Sequence, residues 1–78
     1  MFYTYVLKSK KDKNLYIGFS SDLKRRILEH NKGFVEVTKN RRPLELVYYE
    51  ACCSEAKAVK REKMLKTGYG RSYLKRRL

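Results

Sequence analysis

Histidine occurs once in the chain, at position 30, and cysteine only as the adjacent pair Cys52 and Cys53. With no second histidine at ligand spacing there is no basis for a Cys/His zinc site. Adjacent cysteines pair only with strain, which argues against a disulfide framework and leaves two reduced residues suited to the cytoplasm. Tryptophan is absent, proline occurs once, and apolar runs are short. The N-terminal MFYTYVL cannot supply the core of a signal peptide or a membrane span, so no membrane association is expected. No repeat, linker or low-complexity segment divides the 78 residues, which suit one small domain over 1–78. Negative charge is also scarce. Asp and Glu number 8 against 20 Lys and Arg, a formal net charge of +12. Such an imbalance costs self-repulsion in the compact state, and a polyanion relieves it. Nucleic acid is the first candidate partner, ahead of an anionic membrane or a merely soluble lysine-rich surface.

What is present divides into strands and helices. Phe2 to Lys8 (FYTYVLK) and Leu15 to Phe19 (LYIGF) are rich in aromatic and β-branched residues and read as a hairpin with a long polar loop. Ser20 or Ser21 caps a helix from Asp22 to Asn31, with Asp22 adding a favourable charge to its first turn. Lys32 to Pro43 is a basic connection in which Phe34, Val35 and Val37 can touch the core. Leu44 to Glu50 (LELVYYE) is a third strand by propensity. Ser54 caps a helix from Glu55 to Thr67, Gly68 and Gly70 interrupt it, and RSYLKRRL ends the chain as a short basic helix. The order β-β-α-β-α-α predicts an α+β fold, a small antiparallel sheet of about three strands flanked by helices. Leu15, Ile17, Leu23, Ile27, Leu46, Val59 and Leu65 are expected to form one core between the sheet and the two longer helices.

Two helix faces mix apolar with ionisable residues. Leu23, Arg26, Ile27 and His30 fall at i, i+3, i+4 and i+7, along one stripe. Arg26 at the stripe's edge and His30 as a satisfied core histidine would account for it without any chemistry. On the later helix Ala58, Val59, Glu62 and Leu65 share a face, with Glu62 near its middle. A carboxylate among apolar neighbours is costly unless a metal or an arginine pairs with it; the plainer alternative is an edge Glu62 bonded to Lys66 at i+4. In the first strand Tyr3 and Tyr5 share a face, and Tyr16 points away from its neighbours Leu15 and Ile17.

The pair YTY (Tyr3 to Tyr5) and YIG (Tyr16 to Gly18) resembles the signature of the GIY-YIG nuclease superfamily. The first element is degenerate, with Tyr3 and Thr4 in place of Gly and Ile, whereas the second matches fully. DLKRRILEHN resembles the family's helix, whose arginine and histidine fall on Arg26 and His30. EAKAVKREKMLK resembles the glutamate-bearing helix, whose metal-binding glutamate falls on Glu62. The resemblance covers nearly the whole chain, and its ending is similar to that of small stand-alone members. It departs in one place. Many of these nucleases carry a further asparagine after the glutamate helix, where this chain has Gly68, Tyr69 and Gly70.

The resemblance implies phosphodiester hydrolysis with one divalent metal, magnesium or another such as manganese, held by Glu62. Arg26 is then expected on a phosphate oxygen. Tyr5 is expected as general base with its pKa lowered by nearby cations, Tyr16 as an orienting hydroxyl, and His30 as relay or positioner. Gly18 is a structural glycine allowing close approach at the strand end. Lys10, Lys11, Lys39, Arg41, Arg42, Lys75, Arg76 and Arg77 are expected phosphate contacts without base reading. The substrate is expected to be DNA rather than RNA, in branched or damaged structures of the repair type, with a protein partner available to supply specificity. The competing functions are a catalytically weak nucleic-acid-binding module that keeps the fold, and an RNA-binding, ribosome-associated protein.

Overall fold

The computed structural model describes residues 1–78 and has the expected α+β order. Strands β1 (Phe2–Ser9), β2 (Leu15–Ser20) and β3 (Leu44–Cys52) form an antiparallel sheet in the order β2-β1-β3. Helix α1 (Leu23–Asn31) follows β2, and α2 (Glu55–Leu65) and α3 (Gly68–Lys75) follow β3. A single 3-10 turn, Lys39–Arg41, interrupts the connection before β3. No helix is long and apolar enough to cross a membrane.

The single core expected from the sequence is corrected to two, one on each face of the sheet. Beneath α1, Tyr5, Leu7 and Leu44 pack with Tyr16, Leu23, Ile27 and Leu46. Beneath α2 and α3, Val6, Leu65 and Leu74 pack with Ile17, Val47, Tyr48 and Tyr73. The reason lies in β1. As the central strand it is covered on both sides, with Thr4, Tyr5, Val6 and Leu7 all buried, and such a strand reads as a continuous run instead of an alternation. Leu15, assigned to the core, is instead 38% exposed at the edge strand. In β3 the pairing shifts register between Val6 and Leu7, and the bulge lets consecutive Val47 and Tyr48 both serve the second core.

Local signals differ from expectation at two helix starts. Asp22, not Ser20 or Ser21, caps α1: its carboxylate accepts from the Arg25 amide at 3.1 Å, while Ser20 Oγ accepts from the Asp22 amide at 3.0 Å. Ser54 caps α2 as expected, accepting from Lys57 N. Gly68 and Gly70 do not merely separate helices. Thr67 caps α3, and both glycines sit in its first turn, where a Cβ on Gly70 would collide with the Leu65 carbonyl. The long connection is tied down by polar staples. Asn31 accepts from Leu44 N (2.8 Å) and donates to Leu44 O (3.0 Å), and Ser9 Oγ donates to Arg41 O (2.6 Å).

Candidate active site

Tyr5 on the central strand pairs with Gly18 on β2. The absence of a side chain there is essential to the geometry, because a Cβ on Gly18 would stand 2.5 Å from both Cζ and the hydroxyl of Tyr5. The phenol thus lies across Gly18 and reaches His30, whose Nε2 is 2.8 Å from the Tyr5 hydroxyl. Tyr16, two residues before Gly18, stands edge-on to the same imidazole with ring centroids 5.1 Å apart. Helix periodicity supplies the rest. Ile27 and Leu23 anchor α1 on the sheet, which carries His30 into the interior and leaves Arg26 half-exposed beside the Tyr5 hydroxyl.

The line continues inward. His30 Nδ1 is 2.8 Å from Thr38 Oγ1, and that hydroxyl is 3.5 Å from the Val35 carbonyl. A carbonyl only accepts, so Thr38 donates to Val35 and accepts from Nδ1–H. That assigns the tautomer: Nε2 carries the lone pair and accepts from the Tyr5 hydroxyl. Tyr5, His30 and Thr38 are all buried, and no buried side-chain polar atom in the molecule lacks a partner. Thr38 is the residue that sequence reasoning missed. It sits in a basic connection with no periodic signal, and only the folded chain brings it under His30.

Electrostatics reverses one expectation. Burial pushes the Tyr5 phenol up to about 12; Arg26 pulls it down, while Tyr16 and Glu62 push it further up. The lowered tyrosine pKa expected from nearby cations is therefore corrected, because desolvation of the anion outweighs Arg26. Burial, and then the Arg26 charge, lower His30 to about 4, so it is neutral at physiological pH. Arg26 also donates to Glu29 at 3.1 Å, and that hydrogen bond holds the Glu29 carboxylate below its ordinary range. The cleft outside Arg26 has a volume of about 340 Å³ and is lined by Ser20, Ser21, Asp22 and Arg25 among others.

Glu62 lies on α2, which packs on the opposite face of the sheet from α1. Its flanking stripe residues Ala58 and Leu65 are buried, as the helix pattern suggested, but its carboxylate accepts from Lys66 Nζ at 3.0 Å. It makes no hydrogen bond to Tyr5, Arg26 or His30. Charge alone links it to them, through its effect on the Tyr5 hydroxyl. No three of the chain's His, Cys, Asp and Glu side chains cluster as a ready-made metal site.

The expected phosphate contacts separate into engaged and free cations. Arg41 is engaged: it binds the Asp12 carboxylate at 2.6 and 3.3 Å and the Asn14 carbonyl at 3.2 Å, which holds the Asp12 carboxyl down at about 2. It is a clamp on the β1–β2 loop. Lys10 pairs with Glu45, Lys39 with Glu36, and Lys11 donates to Asn40 O. Arg42 donates to Lys39 O and lies against Gly33, whose φ of 82° a side chain would strain. Arg77 stacks 3.6 Å over the Tyr73 ring. Lys75 and Arg76 are exposed, and no ion pair engages them.

Comparison with known proteins places the chain in a family. The model of the GIY-YIG catalytic domain matches residues 1–76. A UPF0213 protein of Staphylococcus saprophyticus is 44% identical over 66 residues, 83% of this chain and 79% of that protein. One from Streptococcus pyogenes is 41% identical over 71 residues, 90% and 76% of the two chains. The solution NMR structure of a UPF0213 protein from Bacillus halodurans superposes with a TM-score of 0.58 at 32% identity, covering 95% of this chain and 82% of that one. The chain therefore belongs to the GIY-YIG catalytic-domain family, with a nuclease-type fold shared with the UPF0213 proteins.

Proposed function

We propose that residues 1–78 form one nuclease unit, a divalent-metal-dependent phosphodiesterase acting on nucleic acid, DNA before RNA, in the cytoplasm. The observation that carries this is the buried hydrogen-bonded line from Tyr5 through His30 to Thr38, with Arg26 at its solvent end. A phenol near 12 is a poor base alone at neutral pH, but it need not act alone. As water approaches phosphorus, the phenol oxygen takes its proton and the phenolic proton passes to Nε2 of neutral His30. Arg26 binds a phosphate oxygen with a permanent charge. That anion offsets the cation that helps hold His30 acidic, so bound substrate makes His30 a better acceptor.

A lone carboxylate fits magnesium or manganese, which take oxygen ligands and keep several waters; it does not fit zinc, which asks for several protein ligands. Glu62 would hold the cation, with the substrate phosphate completing the set. When bound, it supplies charge neutralisation at the phosphate and the leaving oxygen. The test is cleavage of flapped, nicked, single-stranded and duplex substrates by wild type beside Glu62→Gln from identical purifications, with and without chelator. Chelator-sensitive cleavage lost in Glu62→Gln is expected; equal cleavage by both removes the site.

A further inference from the structure

The largest cavity in the molecule is not beside His30. It is a groove of about 1050 Å³ on the α2/α3 side of the sheet. Its accessible floor is aliphatic, from Leu15, Ile17 and Val47, with the buried Leu65 and Leu74 beneath them. Its rim is cationic, from Lys8, Lys66, Arg71, Lys75 and Arg77, with Glu45 the one acidic side chain, and Glu45 already faces Lys10 at 3.9 Å. Lys8, Arg71 and Lys75 are exposed and have no carboxylate partner. Two of its lining residues connect it to the candidate site: Tyr16, which stands edge-on to His30, and Lys66, which is bonded to Glu62.

We infer that this groove binds unpaired nucleotides of the strand being cut. A duplex turns phosphate and sugar outward and buries the faces of its bases, so it has nothing to lay on an aliphatic floor. An unpaired strand offers both, flat base faces for the floor and phosphates for the rim. An acidic amphipathic peptide matches the same charge and floor, but gives no reason for the groove to be lined by Tyr16 and by the lysine bonded to Glu62. The polymer whose phosphate reaches Glu62 does. The inference rests on the nucleic-acid function proposed above and narrows it: the substrate carries an unpaired segment beside the scissile bond.

The test is an amide NMR titration of the full chain in chelator, so that no strand is cut. The probes are oligodeoxythymidylate, oligouridylate, a blunt duplex and an acidic amphipathic peptide. Oligodeoxythymidylate is expected to shift the amides of Leu15, Ile17, Val47 and Leu74. Oligouridylate shifting the same set also supports the groove, since both present unpaired bases. The double variant Arg71→Gln, Lys75→Gln alters two exposed positions on α3, and its own spectrum reports folding. For the single strand its slope of log affinity against log salt should shrink in magnitude by about 1.4, the amount for two lost contacts, with a smaller loss of affinity on duplex. Shifts outside the groove, equal loss on duplex, or tighter occupancy by the peptide would each overturn the inference. The two proposals fail separately. Groove shifts without any cleavage by wild type sink the enzyme alone; cleavage without groove shifts sinks the groove alone.

Discussion

The Tyr5 hydroxyl and Nε2 of His30 are 2.8 Å apart, with both residues buried. Burial dominates the electrostatics of this pair and keeps both partners neutral, against the pull of Arg26 on the phenol and of Glu29 on the imidazole. Burial disfavours both tyrosinate and imidazolium, and Thr38 fixes the tautomer that accepts. Tyr5→Phe keeps the ring and its packing but leaves the Nε2 lone pair unpaired. The variant is expected to stay folded, to lose about 1–3 kcal/mol in urea unfolding, and to cleave about 10²–10⁴-fold more slowly. Full activity in a folded Tyr5→Phe would remove the phenol from the chemistry.

Stability should depend on pH through His30. Its folded pKa is about 4, below the ordinary 6.5, so between these values the unfolded chain binds more protons than the folded one. The stabilisation is fully present above about pH 6.5 and is lost as pH falls toward 4, with a slope of up to about 1.4 kcal/mol per pH unit. Urea unfolding across this window should show the slope in wild type. His30→Gln should flatten it, whatever its absolute stability, because no titrating group replaces the imidazole.

Much of this was legible in the chain. The stripe Leu23, Arg26, Ile27 and His30 predicted both the anchored face of α1 and the convergence of Arg26 and His30, because helix periodicity is local. The chain order β-β-α-β-α-α followed from local propensities, whereas the central place of β1 in the sheet did not. What was not legible depended on contacts distant in sequence. Thr38 meets His30 only after the connection folds back, and Arg41 reads as one cation among many until Asp12 is placed beside it. The direction of the Tyr5 shift also required burial. Counting nearby cations favours the anion, and only the folded position of the ring shows that desolvation wins. The second core went unseen because FYTYVL carries no alternation to assign to either face.

Gly18→Ala tests how the phenol is held. The added methyl would stand 2.5 Å from Tyr5 Cζ, and a buried aromatic ring cannot yield as a flexible chain end would. Overpacking of this kind costs about 1–3 kcal/mol. The variant should lose that stability and most of its activity together, and the His30 ring resonances should move. A variant with wild-type stability and unmoved His30 resonances would mean that Tyr5 has room the geometry denies.

Arg41 and Arg42 should separate under alanine substitution. Arg41 closes the β1–β2 loop onto the connection through Asp12 and Asn14 O, so Arg41→Ala should lower the thermal midpoint while leaving the salt slope of nucleic-acid binding in place. Arg42 has only carbonyl contacts and no carboxylate partner. Arg42→Ala should reduce that slope by about 0.9 on duplex if it meets a phosphate. Salt-dependent binding curves and thermal melts on both variants distinguish clamp from contact.

Glu62 gives the sharpest prediction, because its carboxylate already has a partner. Lys66 lies one turn away on α2 at 3.0 Å, and the Glu62 side chain is 21% exposed. A divalent cation therefore competes with an ammonium for the carboxylate. Exposed i,i+4 pairs are worth only about 0.3–0.5 kcal/mol, so the displacement is cheap and the pair does not block metal. Lys66→Gln removes the competitor and keeps helix propensity. It should bind manganese somewhat more tightly, about twofold for that energy. Glu62→Gln should bind none at this position. Paramagnetic broadening by manganese reads this without any substrate or turnover: amides near Glu62 should broaden in wild type, at lower manganese in Lys66→Gln, and not in Glu62→Gln. Nucleic-acid binding in chelator should survive Glu62→Gln, since losing a negative charge does not weaken attraction to phosphate. Broadening that persists in Glu62→Gln would place the cation on other ligands and detach Glu62 from the metal.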